Sequence, residues 1–133
     1  MHGYKRLVAW QYASDLCLTT LEVVDGAWHA RARPVFDQLR RAVISVDVNI
    51  VEGYALNTAP QLRRHLRIAL GSAVEAERLL EIAEARGYLR PESVECLKTR
   101  ADATIRTPYG LVRSRNLRTA PTPRSALRVP RSR

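Results

Sequence analysis

The sequence predicts an all-α fold, an antiparallel up-and-down four-helix bundle over residues 1–112 followed by a disordered basic tail over 113–133. Three observations carry that prediction. Apolar residues recur at alternating steps of three and four in four separate stretches, which lays a stripe along one side of a helix. Glycines, prolines and a capping threonine punctuate the chain between those stretches. No stretch alternates with the period of two that a strand requires.

The first helix spans roughly Tyr4 to Val24, with Leu7, Trp10, Ser14, Cys17, Leu21 and Val24 as its stripe. Asp25-Gly26 reads as a left-handed stop, and a loop runs on to Arg33. Pro34 suits the first turn of a second helix, where a missing N–H is harmless. Val35, Leu39, Ala42, Val46, Asn49 and Gly53 form its stripe, widened by Phe36, Val43 and Ile50. A stripe that wide belongs to a core-facing bundle helix rather than to a two-stranded coil.

Thr58 caps the third helix, with Gln61 completing a capping box and Pro60 in the opening turn. Leu62, Leu66, Ala69, Ala73, Ala76, Leu80 and Ala83 continue without a break to a stop at Gly87, and three successive alanines let a neighbouring backbone approach closely. Pro91 opens a fourth helix through Val94, Leu97, Ala101 and Ile105. Pro108 lacks the amide for an interior hydrogen bond, a penalty of about 3 kcal/mol, so a kink or an end is expected near Thr107. A last half-turn at Tyr109, Leu111 and Val112 is expected to cover the core. Residues 113–133 hold seven arginines, three prolines and no acid, and cannot bury enough apolar area to offset their ordering entropy. Short connections make neighbouring helices antiparallel.

Composition excludes more than it assigns. A chain of 133 residues with 46% hydrophobic content suits one domain. No apolar run approaches the ~20 residues of a membrane span, and the N-terminal stretch lacks the pattern of a secretory signal, so a cytoplasmic protein is expected. Cys17 and Cys96 have no CxxC spacing and read as reduced, packed thiols. His2, His29 and His65 are scattered, and no metal, cofactor or catalytic constellation is expected. The net charge of +9 is the unusual property. Residues 1–90 hold twelve Lys/Arg against ten Asp/Glu, whereas residues 91–133 hold ten against three. That asymmetry favours an acidic partner, nucleic acid first.

Tyr4 to Gln11 (YKRLVAWQ), Gln38 to Gly53 (QLRRAVISVDVNIVEG) and Leu66 to Ser72 (LRIALGS), with Glu75, Leu80 and Gly87-Tyr88-Leu89 following, together resemble the 23S rRNA intervening-sequence protein family of bacteria, also called S23 ribosomal protein-like. The resemblance covers about residues 4–112. It implies a four-helix bundle that assembles into a ring-like homopentamer without enzyme activity. Distant relatives serve as accessory proteins to reverse transcriptases of diversity-generating retroelements, where a basic surface engages nucleic acid. The chain departs from the family's usual pattern at Asp47 (Pro), Val51 (Ala), His65 (an aromatic) and Pro108 (an uninterrupted fourth helix).

The candidate nucleic-acid-binding residues are Arg40, Arg41, Arg63, Arg64 and Arg67 on the bundle, with Arg113, Arg115, Arg118 and Arg124 in the tail. Three arginines in the first turns of the third helix oppose its dipole, so phosphate contact is one reading. Pairing with Asp47, Glu52 or an adjacent subunit is the other. Asn49, Glu52 and Gly53 read as a structural polar cluster, with both polar groups partly buried and Glu52 paired to Arg63, Arg64 or Arg67. Trp10 reads as core, and for Trp28, beside His29, Arg31 and Arg33, base stacking and subunit contact are both open. Two functions follow: a homo-oligomeric accessory protein that binds nucleic acid, RNA ahead of DNA, or a scaffolding oligomer that binds a protein such as a reverse transcriptase.

Overall fold

The computed structural model of the chain describes residues 3–113, with side chains described through Thr107. A 3-10 turn, Gly3–Arg6, leads into α1 (Val8–Ala27); a second one, Ala30–Ala32, leads into α2 (Arg33–Leu56), and α3 (Ala59–Ala85) and α4 (Pro91–Arg113) complete the order. Each helix packs against the next, and α4 returns to α1, which closes a square up-and-down bundle.

The local chemistry explains most of the boundaries. The Thr58 hydroxyl accepts the Gln61 amide N–H at 3.3 Å, and Asn57 before it takes the left-handed conformation (φ 58) that turns α2 into α3 within two residues. A short amide side chain tolerates that region better than most. Gly87 is left-handed at φ 74, and Tyr88 N–H reaches back to the Ala83 carbonyl at 2.8 Å, tying off α3. Pro34 lies in the first turn of α2 and Pro91 is the first residue of α4.

All seven stripe positions of α3 are buried, Ala69, Ala73 and Ala76 completely. The core is continuous but falls into two clusters. Leu16, Phe36, Leu39, Leu80, Val94 and Leu97 centre one of them, towards the α1–α2 and α3–α4 loops. Leu7, Val46, Ile50, Leu62 and Leu66 centre the other, towards the chain termini and the α2–α3 loop. Each fully buried Leu, Ile or Phe stabilises by about 1.5–3 kcal/mol relative to exposure.

Four expectations need correction. In α1, Ala9, Ala13, Leu16 and Thr20 are buried with Leu7, Cys17 and Val24, while Trp10, Ser14 and Leu21 are only half-buried. The buried arc is rotated because α2 and α4 flank α1 on both sides. Gly26 is an interior helical residue without positive φ, and α1 ends one residue later, where Trp28 turns extended (φ −62, ψ 137). Cys17 is buried but Cys96 is exposed, and both thiols are free. Finally, of the kink or end expected near Thr107, the end does not occur: α4 continues past Pro108 to Arg113. Apart from Arg113, the expected tail lies outside the described residues.

Candidate nucleic-acid interface

Most of the candidate residues lie on the α2–α3 pair, whose register two polar contacts set. Ser45 Oγ and Ser72 Oγ lie 2.8 Å apart, and one turn along α2 the Asn49 side chain meets His65 at 2.8 Å. The Asn49 amide nitrogen donates to the Ser45 carbonyl (2.9 Å) and to Ser45 Oγ (3.1 Å). Its oxygen therefore faces His65 Nδ1, which must carry the proton, leaving Nε2 to accept from the Arg64 guanidinium at 3.5 Å. His65 is 6% exposed, so this chain of bonds satisfies groups that would otherwise be stranded.

Gly53 belongs to the same contact for a steric reason. A Cβ there would sit 2.9 Å from His65 Cβ and 3.4 Å from Leu62 Cα, so the two helices touch backbone to side chain. The expected Glu52–arginine pair does not form. The Glu52 side chain is 64% exposed, and the group nearest its carboxylate is the His65 imidazole, whose Nδ1 lies 3.7 Å away. Glu52 is one residue off the buried stripe, and the 100° step between helical residues carries it into solvent.

The register also separates the candidate arginines. Arg63, Arg64 and Arg67 occupy the first turns of α3, at the end of the bundle where the helix pair turns. None of them makes an ion pair within 4 Å among the described residues, and Arg63 Nε is buried without a hydrogen-bond partner. Arg40 is held at 3.1 Å each by Asp25 of α1 and by Asp37 on its own helix, so its charge is already answered. Arg41 is exposed and unpaired among the described residues, beside a shallow groove of Gln38, Ser45, Ser72 and Glu75. It stands some eight residues from the Asn49 level, about 12 Å along the axis. Of the tail candidates, Arg113 is the last residue of α4, and Arg115, Arg118 and Arg124 lie outside the described residues.

Up-and-down topology gathers further charge beside Arg63, Arg64 and Arg67. Lys5 and Arg6 precede α1, Arg106 lies near the end of α4, and both helix ends fall at this same end of the bundle. Lys5 and Arg6 are exposed and have no carboxylate partner among the described residues, while Arg106 leans on Asp102 at 3.7 Å. Elsewhere the cations are more often answered. Arg78 and Lys98 both bind Glu81 at 3.0 Å, which holds the Glu81 carboxyl below its ordinary range and the Lys98 ammonium above it. Arg100 lies 2.9 Å from Asp15.

Trp10, which the sequence places in the core, is half-buried at the α1–α2 edge. Its indole N–H donates to Asp47 Oδ1 at 2.8 Å, and its ring meets Tyr4 edge-on at 5.2 Å. Burial raises the Asp47 carboxyl and the indole bond partly offsets that. Burial, with Asp47 as the lesser cause, pushes the Cys17 thiol up to about 11. Among the described residues there is no group of His, Cys, Asp and Glu disposed to hold a metal ion, and no helix long and apolar enough to cross a membrane.

The comparisons with known proteins agree with this architecture. The family model described as 23S rRNA-intervening sequence protein matches residues 5–110. Among solved structures, a protein of unknown function from the S23 ribosomal protein family of Bacteroides thetaiotaomicron VPI-5482 is similar over 85% of this chain and 100% of its own, with a TM-score of 0.65. The two are 18% identical, so the likeness shows a shared fold alone. Among curated proteins none matches the chain.

Proposed function

The chain belongs to the 23S rRNA-intervening sequence protein family, and from that premise we propose that it is a non-enzymatic, homo-oligomeric accessory protein that binds nucleic acid, RNA ahead of DNA, through arginine–phosphate contacts. The observation that carries this reading is the end of the bundle where Lys5, Arg6, Arg63, Arg64 and Arg67 have no carboxylate partner among the described residues. Unanswered cations repel one another and gain when they displace the counterions condensed on a phosphate backbone. α4 runs to this end, so the arginine-rich residues 113–133 continue from it. In a ring of five copies, as the family resemblance implies, weak contacts would multiply by effective concentration.

A scaffolding oligomer that binds a protein is the second reading. It is favoured by Ile44, Val48 and Ile68, which lie 39–49% exposed on α2 and α3. Salt separates the two, because phosphate binding weakens steeply as salt rises and an apolar contact does not. The test is fluorescence anisotropy with a structured RNA and a matched DNA duplex across a salt series. The full chain is compared with Arg63→Gln/Arg64→Gln/Arg67→Gln and with Arg115→Gln/Arg118→Gln/Arg124→Gln. Each phosphate left without its arginine should lower the log–log salt slope by about 1. Absence of binding at low salt, or binding indifferent to salt, would reject the nucleic-acid reading in favour of the scaffold.

A further inference from the structure

The opposite end of the bundle carries a second feature that the basic end does not explain. α1 stops at Ala27, and Trp28 leaves the helix in extended conformation with half of its surface, 50%, exposed. The fold does not use this indole in its ring layer. That layer is His29, Phe36 and Tyr88, with centroids 5.4 Å apart for His29–Tyr88, 6.3 Å for Phe36–Tyr88 and 6.5 Å for His29–Phe36, all edge to face.

The His29–Tyr88 contact brings the α1–α2 connection against the α3–α4 connection. Residues 28–33 contain Arg31 and Arg33, residues 86–90 contain Arg86 and Arg90, and neither stretch contains an acid. Among the described residues Arg31, Arg86 and Arg90 make no ion pair within 4 Å, and Arg33 keeps a 71% exposed side chain although it reaches Asp37 at 3.5 Å. A half-exposed indole at an end of the bundle whose two touching connections carry four arginines and no acid has the composition that suits single-stranded nucleic acid, a flat apolar face for a base and cations for phosphates.

We infer that this loop end is a second contact for single-stranded nucleic acid, in which Trp28 stacks on an unpaired base and Arg31, Arg33, Arg86 and Arg90 hold the flanking phosphates. The inference rests on the nucleic-acid reading above and adds a preference for strands whose bases are free, because bases within a duplex offer no open face to Trp28. α3 alone is 27 residues, about 40 Å, so the two ends are too far apart for one very short oligonucleotide to touch both.

The test compares Trp28→Ala and Trp28→Phe with the wild-type full chain. Affinity is measured for a single-stranded RNA of about five nucleotides and for an RNA duplex, and light scattering gives the oligomeric state of each variant. Trp28→Ala should weaken the short single strand about tenfold and Trp28→Phe much less, with duplex binding and oligomeric state unchanged. Equal single-strand affinity in Trp28→Ala, with duplex binding intact, would overturn this inference and leave the first reading standing. A change of oligomeric state in Trp28→Ala would assign Trp28 to a subunit contact and likewise overturn it. If the wild-type chain binds neither ligand, both readings fall.

Discussion

Asn49 of α2 and His65 of α3 meet side chain to side chain, the amide oxygen accepting the imidazole Nδ1–H at 2.8 Å, one turn along α2 from the Ser45–Ser72 contact between the same two helices. Truncating Asn49 to alanine leaves that N–H without its partner at a nearly inaccessible site, which costs about 1–3 kcal/mol. Glu52→Ala, one turn along α2, should stay within about 0.5 kcal/mol because Glu52 is largely in solvent. Urea denaturation of the two variants checks the contrast, and equal destabilisation would mean that Glu52 supports the fold as much as Asn49 does.

Two helical glycines should respond oppositely to alanine. At Gly53 the new methyl would stand 2.9 Å from His65 Cβ, and overpacking of this kind destabilises by about 1–3 kcal/mol. At Gly71 nothing lies within 4 Å, so alanine should stabilise by about 0.5–1 kcal/mol by restricting the unfolded chain. Thermal melts of both variants read the two signs directly.

The Asp47 carboxyl sets a pH dependence of definite sign. Its pKa is raised on folding, so the folded chain holds this proton more tightly than the unfolded one. Its contribution to stability therefore falls as pH rises from the ordinary Asp range, near ~3.9, through the raised folded value, and is flat above it. Asp47→Asn keeps an oxygen for the Trp10 indole and removes the charge. The variant should match or exceed the wild type at pH 7 and lack that part of the slope; a slope unchanged between the two proteins would rule this out.

The two thiols should be separable by reagent alone. Cys96 is exposed, whereas Cys17 is buried with its pKa pushed up to about 11. Against an ordinary thiol at 9.0, the smaller thiolate fraction alone slows Cys17 about a hundredfold at pH 8. A disulfide-exchange dye should count one fast thiol in the native chain and two in denaturant. Two fast thiols under native conditions would contradict the burial of Cys17.

How well the sequence can be read differs from helix to helix. The α3 stripe is correct at every position because its leucines and alanines stand out from a face of arginines and glutamates, and its caps are specific residues, Thr58 and Gly87, with one structural use each. In α1 the spacing is right at Leu7, Cys17 and Val24 but not at Trp10, Ser14 and Leu21, which fit the three-four rhythm as well as the buried Ala9, Ala13 and Leu16 do. Periodicity gives the existence of a stripe, and the flanking helices decide how far round it is covered. The candidate site follows the same division. Arg40 and Arg41 are adjacent in sequence, yet one is tied to Asp25 and Asp37 and the other faces water. His65, the centre of the polar contact, is hinted at in the sequence by its place three residues after Leu62 at the border of the stripe and by the aromatic that the family usually carries there.

By itself the sequence determined the four helices, most of their caps, the basic excess and the family, because these rest on spacing, residue type and order along the chain. The tertiary structure alone decided which charges are answered, that His65 takes Asn49 while Glu52 pairs with no arginine, and that the two arginine-bearing connections meet at one end of the bundle. Those outcomes depend on distances between residues far apart in sequence, which the register of antiparallel helices sets and no local pattern encodes.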